Sequence, residues 1–138
     1  MMLIPYLNFD GNAEEAMTYY LEVLQGENNG IMRYSDNPDA PAPEYYKDKI
    51  LHATIKLGEA YIYLSDTFPG QMVKKGDQVS INIGFDSLEA IDRVYQAMKD
   101  ESTVTMELQD TFWNARFAAL VDKYGVSWSF NYQYPDKK

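Results

Sequence analysis

The sequence contains no cysteine and one histidine among its 138 residues, and its 12 Lys and Arg are outnumbered by 21 Asp and Glu, giving a formal charge of −9. The missing cysteine excludes disulfides, thiolate nucleophiles and sulfur-ligated metals, and it leaves the redox compartment open. Scattered basic residues on an acidic chain argue against phosphate binding, so neither nucleic acid nor another acidic partner is expected. No apolar run approaches the ~20 residues that span a bilayer, and no membrane association is expected. Met1–Phe9 has no basic flank, long apolar core or small-residue cleavage site, which makes the cytoplasm the expected location. The length fits one domain able to bury roughly 70% of its unfolded surface.

What is present is a pattern stated twice. In the second half, Val79–Phe85 alternates apolar and polar residues, and Asp86 precedes a helical stripe of Leu88, Ile91, Tyr95 and Met98, with Glu89 placed for a capping box. Three strands follow, at about 103–108, 115–121 and 126–131, with turns at 109–114 and 122–125. In the first half, Leu3–Phe9 reads as a strand ending at Asp10-Gly11. A helix capped by Asn12 and Glu15 follows, with Ala16, Met17, Tyr20, Leu21 and Leu24 as its stripe. Gly30–Ser35 is the next predicted strand. The segment Asp36–Lys49 holds three prolines and reads as a loop, either mobile at a pocket mouth or a plain connector. Ile50–Leu57 and Ala60–Ser65 form a hairpin about Gly58-Glu59.

Placing Phe9-Asp10 over Phe85-Asp86 superposes the halves element by element. The expected fold class is α+β: two β-α-β-β-β modules forming an eight-stranded curved sheet around a funnel-like cavity, helices outside. Module 1 covers about 1–66, a linker about 67–77 and module 2 about 78–134 of a single domain.

Alternation also sorts side chains by face. Leu51, Ala53, Ile55 and Leu57 make one face of the hairpin, leaving His52, Thr54 and Lys56 on the other. The face opposite the helices receives Tyr6, Asn8, His52, Thr54, Tyr61, Tyr63, Ser65, Ser80, Asn82, Ser127, Ser129 and Asn131. Such neutral hydrogen-bonding groups suit a small polar ligand. A water-filled groove, or a face covered by a second subunit, are the alternatives. Arg116 is a candidate clamp for an anionic group, or else the partner of Asp110 or Asp122 in an ion pair. Phe112 and Trp113, on a turn, serve either as a lid or as an anchor in a core or dimer contact. His52 is the best general-base candidate, with Glu107 as a possible partner; the alternative is a strand histidine that is merely hydrogen-bonded.

The strings PYLNFDGNAEEAMTYY, His52-Ala53 before a hairpin ending LSD, and TFWNAR followed by DKYGVSW resemble PhnB-like proteins of the vicinal oxygen chelate superfamily, which includes glyoxalase I, extradiol dioxygenases and fosfomycin and bleomycin resistance proteins. The resemblance covers nearly the whole chain. It implies paired modules around a cavity and a homodimer, and it leaves open whether modules pair within one chain or across two. Many such proteins carry Gly-His where this chain has Gly125-Val126.

The resemblance also implies metal ligands near Ile4, Tyr63 or Ser65, Ser80, and Ser127 or Ser129. None of these is a histidine or carboxylate, so no metal and no cofactor are expected. Relatives are also labelled 3-demethylubiquinone methyltransferases, yet the glycine-rich strand-to-helix turn of the usual S-adenosylmethionine enzymes is missing from this sequence. Three functions therefore compete. One is a metal-independent binder of a small polar molecule. The second is a lyase, isomerase or dioxygenase-like enzyme using His52 as acid and base, with or without a metal, and the third is a structural homodimer with a vestigial cavity.

Overall fold

A computed structural model describes residues 1–39 and 42–136. The chain divides into two units, Met1–Lys74 and Lys75–Lys138. The first contains β1 (Tyr6–Phe9), α1 (Ala13–Leu24), β2 (Glu27–Arg33), β3 (Ile50–Leu57) and β4 (Ala60–Asp66). The second contains β5 (Ile81–Phe85), α2 (Leu88–Lys99), β6 (Thr103–Asp110), β7 (Ala115–Val121) and β8 (Ser127–Gln133). Each unit folds into a four-stranded sheet, ordered β1-β4-β3-β2 in the first and β5-β8-β7-β6 in the second. In both, the first strand runs parallel to the last, and the remaining pairs are antiparallel. The repeated β-α-β-β-β order is as expected.

Each helix closes one face of its own sheet. Ala13, Ala16, Met17, Tyr20, Val23 and Leu24 of α1 are buried with Ile50, Ala53, Ile55, Ile62 and Leu64. Ile91, Val94, Tyr95 and Met98 of α2 are buried, as are Ala118, Leu120, Trp128 and Phe130 of the second sheet. The helical stripes read from periodicity are largely these, with Leu21 only half-buried and Leu88 exposed.

Several local expectations are corrected. Strand β1 begins at Tyr6 rather than Leu3, since Pro5 has no N–H to give a ladder, although its carbonyl accepts from Tyr63. Strand β2 is Glu27–Arg33 rather than Gly30–Ser35, and β5 starts at Ile81, which leaves Ser80 outside the ladder. Helix α1 ends at Gln25, in the left-handed conformation. Gly26 follows because a Cβ there would lie 2.8 Å from both Ile55 Cγ2 and Leu57 Cδ2.

A bulge shifts the hairpin's apolar face. Met32 pairs with His52 and Arg33 with Ile50, so Leu51 is an extra residue on β3. Ile50 is therefore fully buried, while Leu51 is only half-buried.

The proline-containing segment is not a free loop over its described residues. Two short 3₁₀ turns, Tyr34–Asp36 and Glu44–Tyr46, bury Tyr34 and Tyr46. Their hydroxyls donate to the carbonyls of Asp66 and Thr67 at 2.8 and 2.5 Å. The Tyr34 and Ser35 N–H groups bond back to Lys49 and Lys47. Ala40 and Pro41 lie outside the described residues.

Candidate functional site

Opposite its helix, each sheet presents an open face, and the ladder registers say what stands on it. On the first sheet Tyr6 pairs with Tyr63, Asn8 with Ser65, Thr54 with Tyr63, Lys56 with Tyr61, and Met32 with His52. Three of these rings form a cluster. Tyr6 Oη lies 3.0 Å from His52 Nδ1, and Thr54 Oγ1 lies 3.5 Å from Nε2. The Tyr63 ring centroid is 4.8 Å from that of His52 and 5.7 Å from that of Tyr6, both edge-on. His52 is thus fixed by a hydroxyl on each side and by two aromatic neighbours. Tyr6 is 47% exposed, while Tyr63, Tyr61, His52 and Thr54 are half-buried and accessible. The first unit therefore brings together six of the residues picked from sequence: Tyr6, Asn8, His52, Thr54, Tyr61 and Tyr63.

On the second sheet, Asn82 pairs with Ser129 and Gly84 with Asn131 across β5 and β8. Asn82 Nδ2 donates to Ser129 Oγ at 2.7 Å. Ala119 faces Ser129 and Phe117 faces Asn131 on the neighbouring ladder. Ser80 is exposed and lies before the strand. Trp113, at the β6–β7 turn, meets Phe112 at 5.0 Å and Phe117 at 6.1 Å. Its anchoring contact is with the sheet, whereas Phe112 is 97% exposed.

Arg116 and Glu107 lie elsewhere. Arg116 pairs with Tyr132 on the face that carries Ala118 and Leu120, the side covered by α2. Its Nη1 donates to Asp110 Oδ1 at 3.1 Å, and Tyr134 Oη donates to the same oxygen at 2.6 Å. The Tyr134 hydroxyl, then Arg116, hold the Asp110 carboxyl below the usual range, and Asp110 in turn raises the Tyr134 phenol. Arg116 and Glu107 both line a depression of about 420 Å³ against α2, with Asp92, Tyr95, Gln96 and Lys99. The ion pair with Asp110, rather than an anion clamp on the open face, describes Arg116.

Two carboxylates outside the candidate site, Asp66 and Asp122, are buried. Asp66 Oδ1 accepts from the Gly11 and Ala13 N–H groups, and Oδ2 from Ile50, all within 2.9 Å. Asp66 thereby caps α1, and Asn12 makes no side-chain cap; on α2 the cap is Ser87, not Asp86. Asp122 accepts from the N–H groups of Tyr124 and Val126 and from Trp128 Nε1. The LSD and DKYGVSW strings are thus explained by architecture. Gly125 sits in that turn at φ +89°, and a Cβ there would meet the Lys75 side chain at 2.7 Å.

The resemblance to the vicinal oxygen chelate superfamily implies a metal, and the donor set of this chain does not fit one. Among the described residues, no three His, Asp or Glu side chains come together. The one histidine has a phenol and a threonine hydroxyl beside its nitrogens. Hydroxyls alone bind divalent transition metals poorly.

The family model for 3-demethylubiquinone-9 3-methyltransferase matches residues 1–130. The chain belongs to this family. It is 28% identical to protein YjdN of Escherichia coli strain K12, over 95% of both chains. Protein PA1353 of Pseudomonas aeruginosa is 32% identical with a TM-score of 0.85, covering 96% of this chain and 98% of that one. The PhnB protein of Bacillus cereus is 27% identical with a TM-score of 0.78, covering 96% and 99%. At lower identity the fold recurs in glyoxalase/bleomycin resistance/dioxygenase proteins. Among the described residues of this PhnB-like chain, no helix is long and apolar enough to cross a membrane.

Proposed function

We propose that this PhnB-like protein binds a small polar molecule against the open sheet faces without a metal. The observation that carries the reading is the Tyr6–His52–Tyr63 cluster, three accessible rings fixed on adjacent strands, with the Tyr6 hydroxyl at one nitrogen of His52 and the Thr54 hydroxyl at the other. Rigid aromatic walls with few, oriented polar groups are what small-molecule sites are made of. Asn82 and Ser129 would add neutral donors and acceptors. In this reading both β-α-β-β-β modules belong to one glyoxalase/bleomycin-resistance-like protein. The protein acts as a cytoplasmic homodimer.

Methyl transfer, the activity in the matched family's description, is not what we infer. The usual S-adenosylmethionine enzymes hold their cofactor at a glycine-rich turn of a doubly wound parallel sheet. Here each sheet has a single parallel pair.

One contact favours a second reading. The Tyr6 hydroxyl at His52 Nδ1 orients the imidazole as a general base would need; Glu107, which lines the depression against α2, is no part of this reading. Thermal-shift and titration screens of polar metabolites and antibiotics, run with EDTA, test binding. His52→Ala separates the readings: a binder keeps affinity within about tenfold, ~1.4 kcal/mol, whereas an enzyme loses turnover.

A further inference from the structure

Strand β2 carries the sequence Glu27-Asn28-Asn29-Gly30-Ile31 on the outer edge of the first sheet. Its ladder with β3 breaks there. Asn28 pairs with Ile55 and Ile31 with Ala53, so Asn29 and Gly30 together stand opposite Thr54 as a bulge. Both are exposed. Gly30 has φ +127°, and a Cβ built on it would meet no atom within 4 Å. Its N–H donates to the exposed Asn28 side chain at 2.9 Å.

From this geometry we infer that Asn29 is a site of spontaneous deamidation. Hydroxide takes the Gly30 amide proton, and the nitrogen attacks Asn29 Cγ. A C–N bond forms, ammonia leaves, and a five-membered succinimide results. Water then opens either carbonyl, giving aspartate or isoaspartate, with no change of oxidation state. Glycine at the following position leaves the attacking nitrogen unhindered, and the bulge frees the backbone to reach the cyclic geometry. Asn8, Asn12, Asn82, Asn114 and Asn131 are followed by Phe9, Ala13, Ile83, Ala115 and Tyr132, all with a Cβ.

The Asp10-Gly11 pair is an internal control, since aspartate before glycine can close the same ring. There the Gly11 N–H is committed to the buried Asp66 carboxylate at 2.8 Å, and the backbone is held at the start of α1. It stays intact while Asn29 reacts. Conversion places a carboxylate opposite Thr54, whose hydroxyl lies 3.5 Å from His52 Nε2, and isoaspartate adds a backbone atom to β2. This consequence for ligand affinity rests on the proposed function; the covalent chemistry does not.

The test is incubation of the intact protein in neutral and mildly alkaline buffer, then trypsin cleavage and mass spectrometry. The first Lys or Arg is Arg33, so the peptide Met1–Arg33 carries both motifs. The expected result is acid and isoaspartate at Asn29 ahead of every other asparagine, in proportion to hydroxide activity, and none at this position in Asn29→Gln. Retention of the Asn29 amide while the urea-unfolded chain converts would overturn the inference, as would conversion no faster than at Asn28. Affinity of Asn29→Asp for a ligand found in the screen reads the consequence separately. Unchanged affinity would remove the link to the open face and leave the modification standing.

Discussion

Asp66, the last residue of β4, caps a helix that begins more than fifty residues earlier: its Oδ1 accepts from Ala13 N–H at 2.9 Å, and its Oδ2 from Ile50 N–H at 2.8 Å. One buried carboxylate thereby ties α1, β3 and β4 together. An amide in its place turns an NH₂ group toward a backbone donor. Asp66→Asn is expected to lose about 2–3 kcal/mol of unfolding free energy, measured by urea denaturation. An unchanged midpoint would show that the cap is dispensable.

Gly26 is needed for space, not conformation. In Gly26→Ala the new Cβ would sit 2.8 Å from Ile55 and Leu57 side chains and 3.1 Å from the Lys56 carbonyl. The expected cost is about 1–3 kcal/mol, read as a lower melting temperature. Gly58→Ala is a contrasting variant, with no atom near its Cβ and only the strain of φ +59° to bear.

The two tryptophans report on different parts of the second unit. Trp128 is 1% exposed and donates to Asp122, while Trp113 is 47% exposed on its turn. Acrylamide should quench Trp113 and spare Trp128. Trp128→Phe should cost about 1–3 kcal/mol by leaving a buried carboxylate oxygen short of a donor; equal quenching of both single-tryptophan variants would contradict this placement.

Glu14 and Arg33 join α1 to β2 through paired hydrogen bonds of 2.9 and 2.7 Å. The Arg33 hydrogen bonds hold the Glu14 carboxyl below its usual range. A depressed folded pKa means the pair stabilises the fold above the unfolded value near 4.5, and that this stability is lost as pH falls through the folded pKa. Both side chains are solvent-accessible, so the effect is at most about 1 kcal/mol and falls with salt. Glu14→Gln should flatten the acid limb of stability against pH by that amount; an identical limb in low salt would contradict it.

Much of this fold was legible because helices and strands leave separate periods in the sequence, and both halves repeat them. The faces of β3, β4, β5 and β8 followed from alternation, which brought Tyr6, His52 and Tyr63 onto one surface. Leu51 departs from the alternation because a bulge is set by pairing with Arg33 on another strand, and no local pattern marks it. Local capping rules point to Asn12, but the cap is Asp66, which reaches α1 through the parallel β1–β4 pair and so leaves no mark in the neighbouring sequence. The side of Arg116 follows from β7 alternation with Ala118 and Leu120, and of the two roles the sequence offers it the structure shows the ion pair with Asp110. The acidic residue of LSD, read beside a hairpin end, was the available signal for Asp66.

The most direct measurement is calorimetric titration of a screened ligand, in EDTA, into the native protein, Tyr6→Ala, Tyr63→Ala and Arg116→Ala. The account predicts binding without metal, a loss of about 1–3 kcal/mol, roughly five- to 150-fold, in each tyrosine variant, and little change in Arg116→Ala. Binding that requires a divalent metal, or that collapses only in Arg116→Ala, would contradict it.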